Sequence, residues 1–321
     1  VKYWIALLTL FLAWSVQPAL HAQAPRLQIQ CGVTDSGKAD FGTVDPDHNT
    51  DIIGQITGWC RNAPSAYVRL CVSLGRTEQG SIDPRLMADG REYLEFNIYA
   101  NASRTIIWGD GSTPLARIVP IDIPTPNGDG EVTRTWYGRV PPQPLVPAGR
   151  YRTDFDRSNT KFVVHGFDVS PPQCSVTDPV EGTFRFKVSA EVEGSCGLEA
   201  SPLSFGIVGN LSTAVEANTS ITVHCRNRTP YNITMDAGRG YSGTVLVRQM
   251  SRTVGQLTLN YQLFSNATRT EVWGDSTLGT STVTGVGNGS DQILRVYGTL
   301  LAQPIPGTGL FDDTVTVTLA Y

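Results

Sequence analysis

One unit is written twice in this chain, and that duplication limits its possible folds more than any other feature. Cys31 and Cys196 stand 165 residues apart, as do Cys60 and Cys225. Arg-Asn follows the second cysteine of each half (Arg61-Asn62 and Arg226-Asn227), and Phe-Gly follows the first (Phe41-Gly42 and Phe205-Gly206). Arg104-Thr105 and Trp108-Gly109-Asp110 are answered by Arg269-Thr270 and Trp273-Gly274-Asp275, again at 165. Tyr137-Gly138, Gln143-Pro144 and Gly149-Arg150-Tyr151 recur as Tyr297-Gly298, Gln303-Pro304 and Gly309-Leu310-Phe311, now at 160. Landmarks in one order at a nearly fixed offset identify a tandem duplication.

Each half reads as all-β. Ser220–His224, Leu257–Tyr261 and Thr314–Leu319 alternate polar and apolar residues with period two. The 32 Gly and 20 Pro among 321 residues are spread throughout, which favours short elements joined by turns and excludes a helical bundle or coiled coil. The expected fold is two tandem immunoglobulin-like β-sandwich domains, over 25–170 and 171–321. A net charge of −4 gives a nucleic-acid partner no electrostatic footprint.

Residues 1–24 read as an export signal. Lys2 precedes the apolar run Trp4–Val16, and Ala22-Gln23-Ala24 supplies a small-residue cleavage pattern. The run is shorter than the roughly 20 residues that span a bilayer. Export places the cysteines in an oxidising compartment, where they read as disulfides. The equal 29-residue spacing predicts Cys31–Cys60 and Cys196–Cys225, each contributing about 3 to 4 kcal/mol. Cys71 and Cys174 remain. In Val68–Leu74 the apolar residues hold the even positions, so Cys71 faces away from the core; a surface bridge to Cys174 follows.

The halves differ near their ends. After Tyr151 the first half turns through Asp156–Asn159 into Lys161–Val169, whereas after Phe311 the second runs a single alternating strand to Tyr321. The second sandwich is therefore expected to lack its last strand, exposing a groove of unpaired backbone and open core with Val315, Val317, Leu319 and Tyr321 beside it. Between the halves, Phe184, Phe186, Val188, Ala190 and Val192 share one strand face, whose burial is worth on the order of 10 kcal/mol gross. The simpler and preferred reading makes this the first strand of the second domain; the other makes it complete the first.

The order Cys, Phe-Gly, Cys, Trp-Gly-Asp, Tyr-Gly, Gln-Pro, Gly-x-aromatic resembles the spore coat U domain family, which includes subunits of archaic (Csu-type) chaperone–usher pili. Two domains, with only a few residues between the signal and Cys31, resemble the layout of a tip subunit. The resemblance implies a periplasmic chaperone lending a strand to the second domain, an outer-membrane usher, and a next pilus subunit that replaces the chaperone's strand. It also implies a first domain that attaches to an abiotic or host surface, promoting biofilm, and a final location at the tip of a cell-surface fimbrium. Two proline-stiffened apolar stretches are the candidate contact loops: Leu115, Ile118, Val119, Ile121 and Ile123 in one, Val140, Leu145 and Val146 in the other; the alternative for both is that these side chains tuck back on the sandwich as core or edge strand. A glycan-binding tip and a static coat or matrix protein are the alternatives.

Catalytic signatures are missing from the sequence, and no enzyme, cofactor or metal is expected. His48, His165 and His224 have no ligand spacing, and neither Gly-x-Ser-x-Gly nor His-Glu-x-x-His occurs. Gly285–Gly289 and Asn127–Glu131 read as turns, and the adjacent Asp312 and Asp313 point to opposite faces of a strand. Duplication of Trp-Gly-Asp favours a structural role.

Overall fold

The structure, a computed structural model, describes residues 28–35, 38–240, 242–252 and 256–321. The export signal expected over 1–24 lies outside them. The described chain is almost entirely β, with one three-residue 3-10 turn at Thr277–Gly279.

The first unit holds β1 (Gln30–Asp35), β2 (Lys38–Val44), β3 (Thr50–Arg61), β4 (Tyr67–Leu74), β5 (Arg85–Asp89), β6 (Glu92–Tyr99), β7 (Ile107–Trp108), β8 (Ala116–Arg117), β9 (Val119–Pro124), β10 (Gly130–Val140), β11 (Gly149–Phe155), β12 (Thr160–Phe167) and β13 (Phe186–Val192). One curled sheet runs β1-β3-β10-β6-β5-β11-β13-β2, and β12-β4-β9 packs across it. The second unit holds β14 (Cys196–Ala200), β15 (Val215–Cys225), β16 (Pro230–Met235), β17 (Arg248–Ser251), β18 (Thr258–Phe264), β19 (Val283–Val286), β20 (Asp291–Leu300) and β21 (Val317–Ala320). Its sheets run β14-β15-β20-β18-β17 and β19-β16-β21. Each unit is an immunoglobulin-like sandwich with its own apolar core.

The repeated landmarks prove to be the fastenings of each core. Trp108 Nε1 donates to the Val72 carbonyl at 2.9 Å, and Trp273 Nε1 to that of Ile233 at 3.0 Å. Arg104 lies over the Tyr137 ring and Arg269 over that of Tyr297. Gln143 and Gln303 each clamp one backbone position, Glu95 and Asn260, by accepting from its N–H and donating to its carbonyl. Asp110 and Asp275 close local turns by accepting from Ser112 N and Thr277 N. Trp-Gly-Asp is therefore structural in both halves.

A pair of arginines 163 residues apart, which the sequence reading passed over, belongs to the same machinery. Arg85 is fully buried; it donates to the carbonyls of Leu74, Gly75 and Trp108 and to Asn97 Oδ1. Burial pulls its pKa down to about 9. Arg248 likewise donates to the carbonyls of Met235, Asp236 and Trp273, but its Nη1 has no partner.

All three expected disulfides are present: Cys31–Cys60, Cys196–Cys225 and Cys71–Cys174. The first two join residues directly opposite on paired strands. Cys71 does point away from the core, and the 168–183 segment covers it. That segment is strapped down by the disulfide, by Arg69 donating to the Pro172 carbonyl at 2.7 Å, and by a His165–Asp178 contact at 3.0 Å.

The strap delivers β13, and here the preferred sequence reading is corrected. Residues 184–192 do not open the second sandwich; they finish the first. β13 lies between β11, antiparallel, and β2, parallel. Phe184, Phe186, Val188, Ala190 and Val192 are all buried in the first core, with Phe186 edge-on to Trp108, Trp136 and Phe155. Strand alternation specifies an apolar face but not the sheet that receives it.

Candidate functional site

The duplication makes the first unit a template for what the second lacks. Aligning Phe41-Gly42 on Phe205-Gly206 places Ala39, Phe41 and Val44 of β2 on Leu203, Phe205 and Val208. Gly42 and Gly206 both adopt left-handed backbone, at φ 63 and 75, which supports that alignment. Aligning Gly149–Tyr151 on Gly309–Phe311 places β11 on 309–315. In the first unit these two segments flank β13; in the second, neither 201–208 nor 309–311 forms a strand, and Asp312 makes only an isolated bridge to Ser251. Ala39, Phe41, Val44, Tyr151 and Phe155 are buried, whereas Leu203, Phe205, Val208, Phe311 and Val315 are each only half-buried against the second core. The second unit is one strand short, and the vacancy lies between 202–208 and 309–315.

The missing strand is the counterpart of β13, not of β12 as the comparison of chain ends suggested. β21 pairs with β16 as β12 pairs with β4, with Val317 opposite Met235 where Thr160 is opposite Leu74. Val315 stands in the groove wall. Val317 and Leu319 correspond to Thr160 and Phe162, which in the first unit touch Phe184 and Gly182 at the entry to β13; they therefore mark one end of the groove. Tyr321 is exposed. The other wall, Leu203, Phe205 and Val208, was missed, although the repeated Phe-Gly marked its position.

The expected contact loops fare differently. The stretch 115–124 forms β8 and the edge strand β9 rather than a free loop; Ile121 and Ile123 are 0% exposed and face the core. An edge strand accommodates Pro120 and Pro124, which had suggested a loop. Ile118 and Val119 are half-buried, leaving Leu115 exposed. Val140 and Val146 are buried in the first core. Of the three candidates in the second stretch Leu145 alone is open, and that stretch meets the second unit: Arg226 Nη1 donates to the Pro144 carbonyl at 3.1 Å, and Ala148 N to the Asn227 carbonyl at 3.0 Å. Arg228 adds a 2.9 Å ion pair with Asp89.

The turns by which the second unit meets the first have free counterparts. Arg228 N donates to the Gly287 carbonyl; the matching bond in the first unit runs from Ala63 N to the Gly128 carbonyl. There the turns are longer and less polar, carrying Ala63, Pro64 and Pro126. Beside them Tyr67 and Phe167 stack at 5.4 Å, Ala66 N bonds Asp168, and Val169 is 93% exposed. Among the described residues no group of His, Cys, Asp and Glu is placed to hold a metal.

Two stretches of this chain, 18–155 and 182–318, each match the Spore Coat Protein U domain. The chain belongs to the Spore Coat Protein U domain family. The second match opens at 182, so by sequence the 184–192 strand is the family's opening segment in the second unit, while by packing it closes the first. No curated protein matches the sequence. Solved structures similar to it include the CsuC–CsuE chaperone–tip adhesion subunit pre-assembly complex of Acinetobacter baumannii (16% identity, TM-score 0.47, 91% of this chain and 100% of that one). Others are the CupB6 tip adhesin of Pseudomonas aeruginosa (10%, 0.36, 90% and 93%) and the CfaE adhesin of enterotoxigenic E. coli (9%, 0.38, 89% and 92%).

Proposed function

We propose that this protein is the tip adhesin of a chaperone–usher pilus, exported through the periplasm and displayed at the cell surface. One observation carries the reading: two copies of one sandwich, the first closed by a strand from its own chain and the second open at the same place. An open slot edged by unpaired backbone and half-buried Phe205, Phe311 and Val315 calls for a further strand, which in this reading another polypeptide supplies. In the periplasm a chaperone supplies it; at the usher the next subunit replaces it. The first unit needs no such help, which suits a subunit at the end of a fibre.

Attachment belongs to the free end of the first unit, around 62–66, 125–129 and 167–170. The same end of the second unit is its docking end; in the first unit Arg61 keeps the place of Arg226, but Ala63 stands where Arg228 does, and Tyr67 and Val169 are exposed. Binding there is to an apolar surface, abiotic or on a host, and its outcome is attachment and biofilm. Recovery of the mature chain as a 1:1 complex with a periplasmic chaperone, and its aggregation without one, tests the assembly half. For the attachment half, Phe167→Asp with Val169→Asp is expected to abolish adhesion to bare plastic while pili still assemble. Unchanged adhesion with normal pili overturns the placement of the contact surface.

A further inference from the structure

The empty slot differs from the filled one in carrying an ionisable group on its core-facing wall, and this bears on what can fill it; the inference rests on the strand-acceptor reading above. On β11, Tyr151, Thr153 and Phe155 face the core, and Thr153 lies opposite Val188 of β13. The corresponding residues of the second unit are Phe311, Asp313 and Val315, so a carboxylate replaces a threonine in the middle of the wall. Asp313 is held firmly. Its Oδ1 accepts from Arg239 N at 2.7 Å and from Thr314 N at 2.8 Å, and its Oδ2 accepts from the Tyr261 hydroxyl at 2.7 Å. By strand register Tyr261 replaces Phe96 of the first unit, so both members of the pair are polar where the template has Thr and Phe.

A carboxylate offers about four acceptor sites, and three are used. A strand laid like β13 would cover the remaining one with the residue standing where Val188 stands. Covering a carboxylate lone pair with a hydrocarbon removes its water and returns nothing, a cost that an apolar strand cannot recover. We propose that Asp313, positioned by Tyr261, determines which strand the groove accepts: the occupant is a β-strand of another protein that is apolar at alternate positions but carries a hydrogen-bond donor, hydroxyl or ammonium, opposite Asp313.

The test uses the mature chain, renatured in the presence of a fluorescent peptide of the 183–194 sequence in three versions: unchanged, Val188→Thr and Val188→Lys. The Thr or Lys version is expected to bind about tenfold or more tightly than the unchanged one, the worth of one hydrogen bond to a charged group. With Asp313→Thr, which installs the first unit's residue, that preference is expected to vanish. Asp313→Asn keeps the shape and removes the charge, so it retains preference for Thr but not for Lys. Equal or tighter binding of the unchanged peptide to the wild-type chain overturns the specificity proposal while leaving the groove standing. Failure of every version to bind refutes the groove itself, and this inference with it.

Discussion

The two units share a cysteine pair, a buried tryptophan, a buried arginine and strand order, yet one is complete and the other is not. Their difference reduces to a single strand, which the second repeat contributes and the first consumes. A repeat boundary in sequence and a domain boundary in packing are thus separate things here, about ten residues apart. The family match begins at 182, whereas the first sandwich closes at Val192. Shifting the ownership of one strand makes a closed sandwich and an open one from the same architecture.

The sharpest way to break this comparison is to cut the chain at each boundary. A fragment of residues 25–193 is expected to fold cooperatively, and one of 25–170 to aggregate, because the latter loses five buried side chains and about 10 kcal/mol of gross burial. Thermal unfolding monitored by near-UV circular dichroism decides it; a folded 25–170 fragment would mean that β13 is dispensable. Phe186→Ala in the whole chain should destabilise the first unit by about 3 to 5 kcal/mol, read from its own urea transition.

The converse experiment supplies the second unit with what it lacks. Appending a copy of 168–192 after Tyr321, with the Val188 position changed to Thr to face Asp313, should yield a soluble monomer with no chaperone present. If the extended chain still aggregates, filling the vacancy between 202–208 and 309–315 is not enough to make the second unit stand alone. A third comparison concerns the buried arginines. Arg85→Met strands three carbonyls and Asn97, and is expected to cost about 3 to 5 kcal/mol. Arg248→Met should cost about 1 to 3 kcal/mol, since Arg248 already leaves Nη1 unbonded. Equal losses in the two units would show that the extra Asn97 bond contributes nothing.

What the sequence disclosed, and what it withheld, follows from the kind of information each feature carries. Disulfides demand fixed partners, so equal spacing revealed Cys31–Cys60 and Cys196–Cys225. Trp108 and Gln143 serve the backbone of their own unit, so the duplication exposed them. The destination of 184–192 was illegible because alternation describes a strand's faces, not its edges, and both neighbours of β13 lie more than thirty residues away in sequence. Ile121 and Ile123 misled for a local reason: prolines beside them signal a loop, yet an edge strand tolerates proline on its outer side. Val146 and Leu145 were indistinguishable in sequence, and only packing buries one and exposes the other. The end proposed for attachment has no signature of its own in the sequence; only the second unit's docking turns single it out.

The smallest expected effect concerns the seam between β2 and β13. Asp40 Oδ1 accepts from the Ser189 hydroxyl at 2.8 Å, joining the two strands, and Lys38 sits 2.6 Å from its other oxygen. The Lys38 ammonium first and the Ser189 hydroxyl second hold this carboxyl below its ordinary 3.8. A carboxylate whose pKa is lower folded than unfolded contributes stability above 3.8, and that contribution is lost as pH falls through the lower, folded value. The first unit should therefore weaken slightly at pH below about 4 through this group, and Asp40→Asn should remove that part of its acid sensitivity while barely altering stability at pH 7. The second unit has Ser204 at the corresponding position and no strand across from it, so its acid response should not change when the same substitution is made in the first. An acid titration in which Asp40→Asn alters both units equally would locate the effect in their junction rather than in the self-supplied strand.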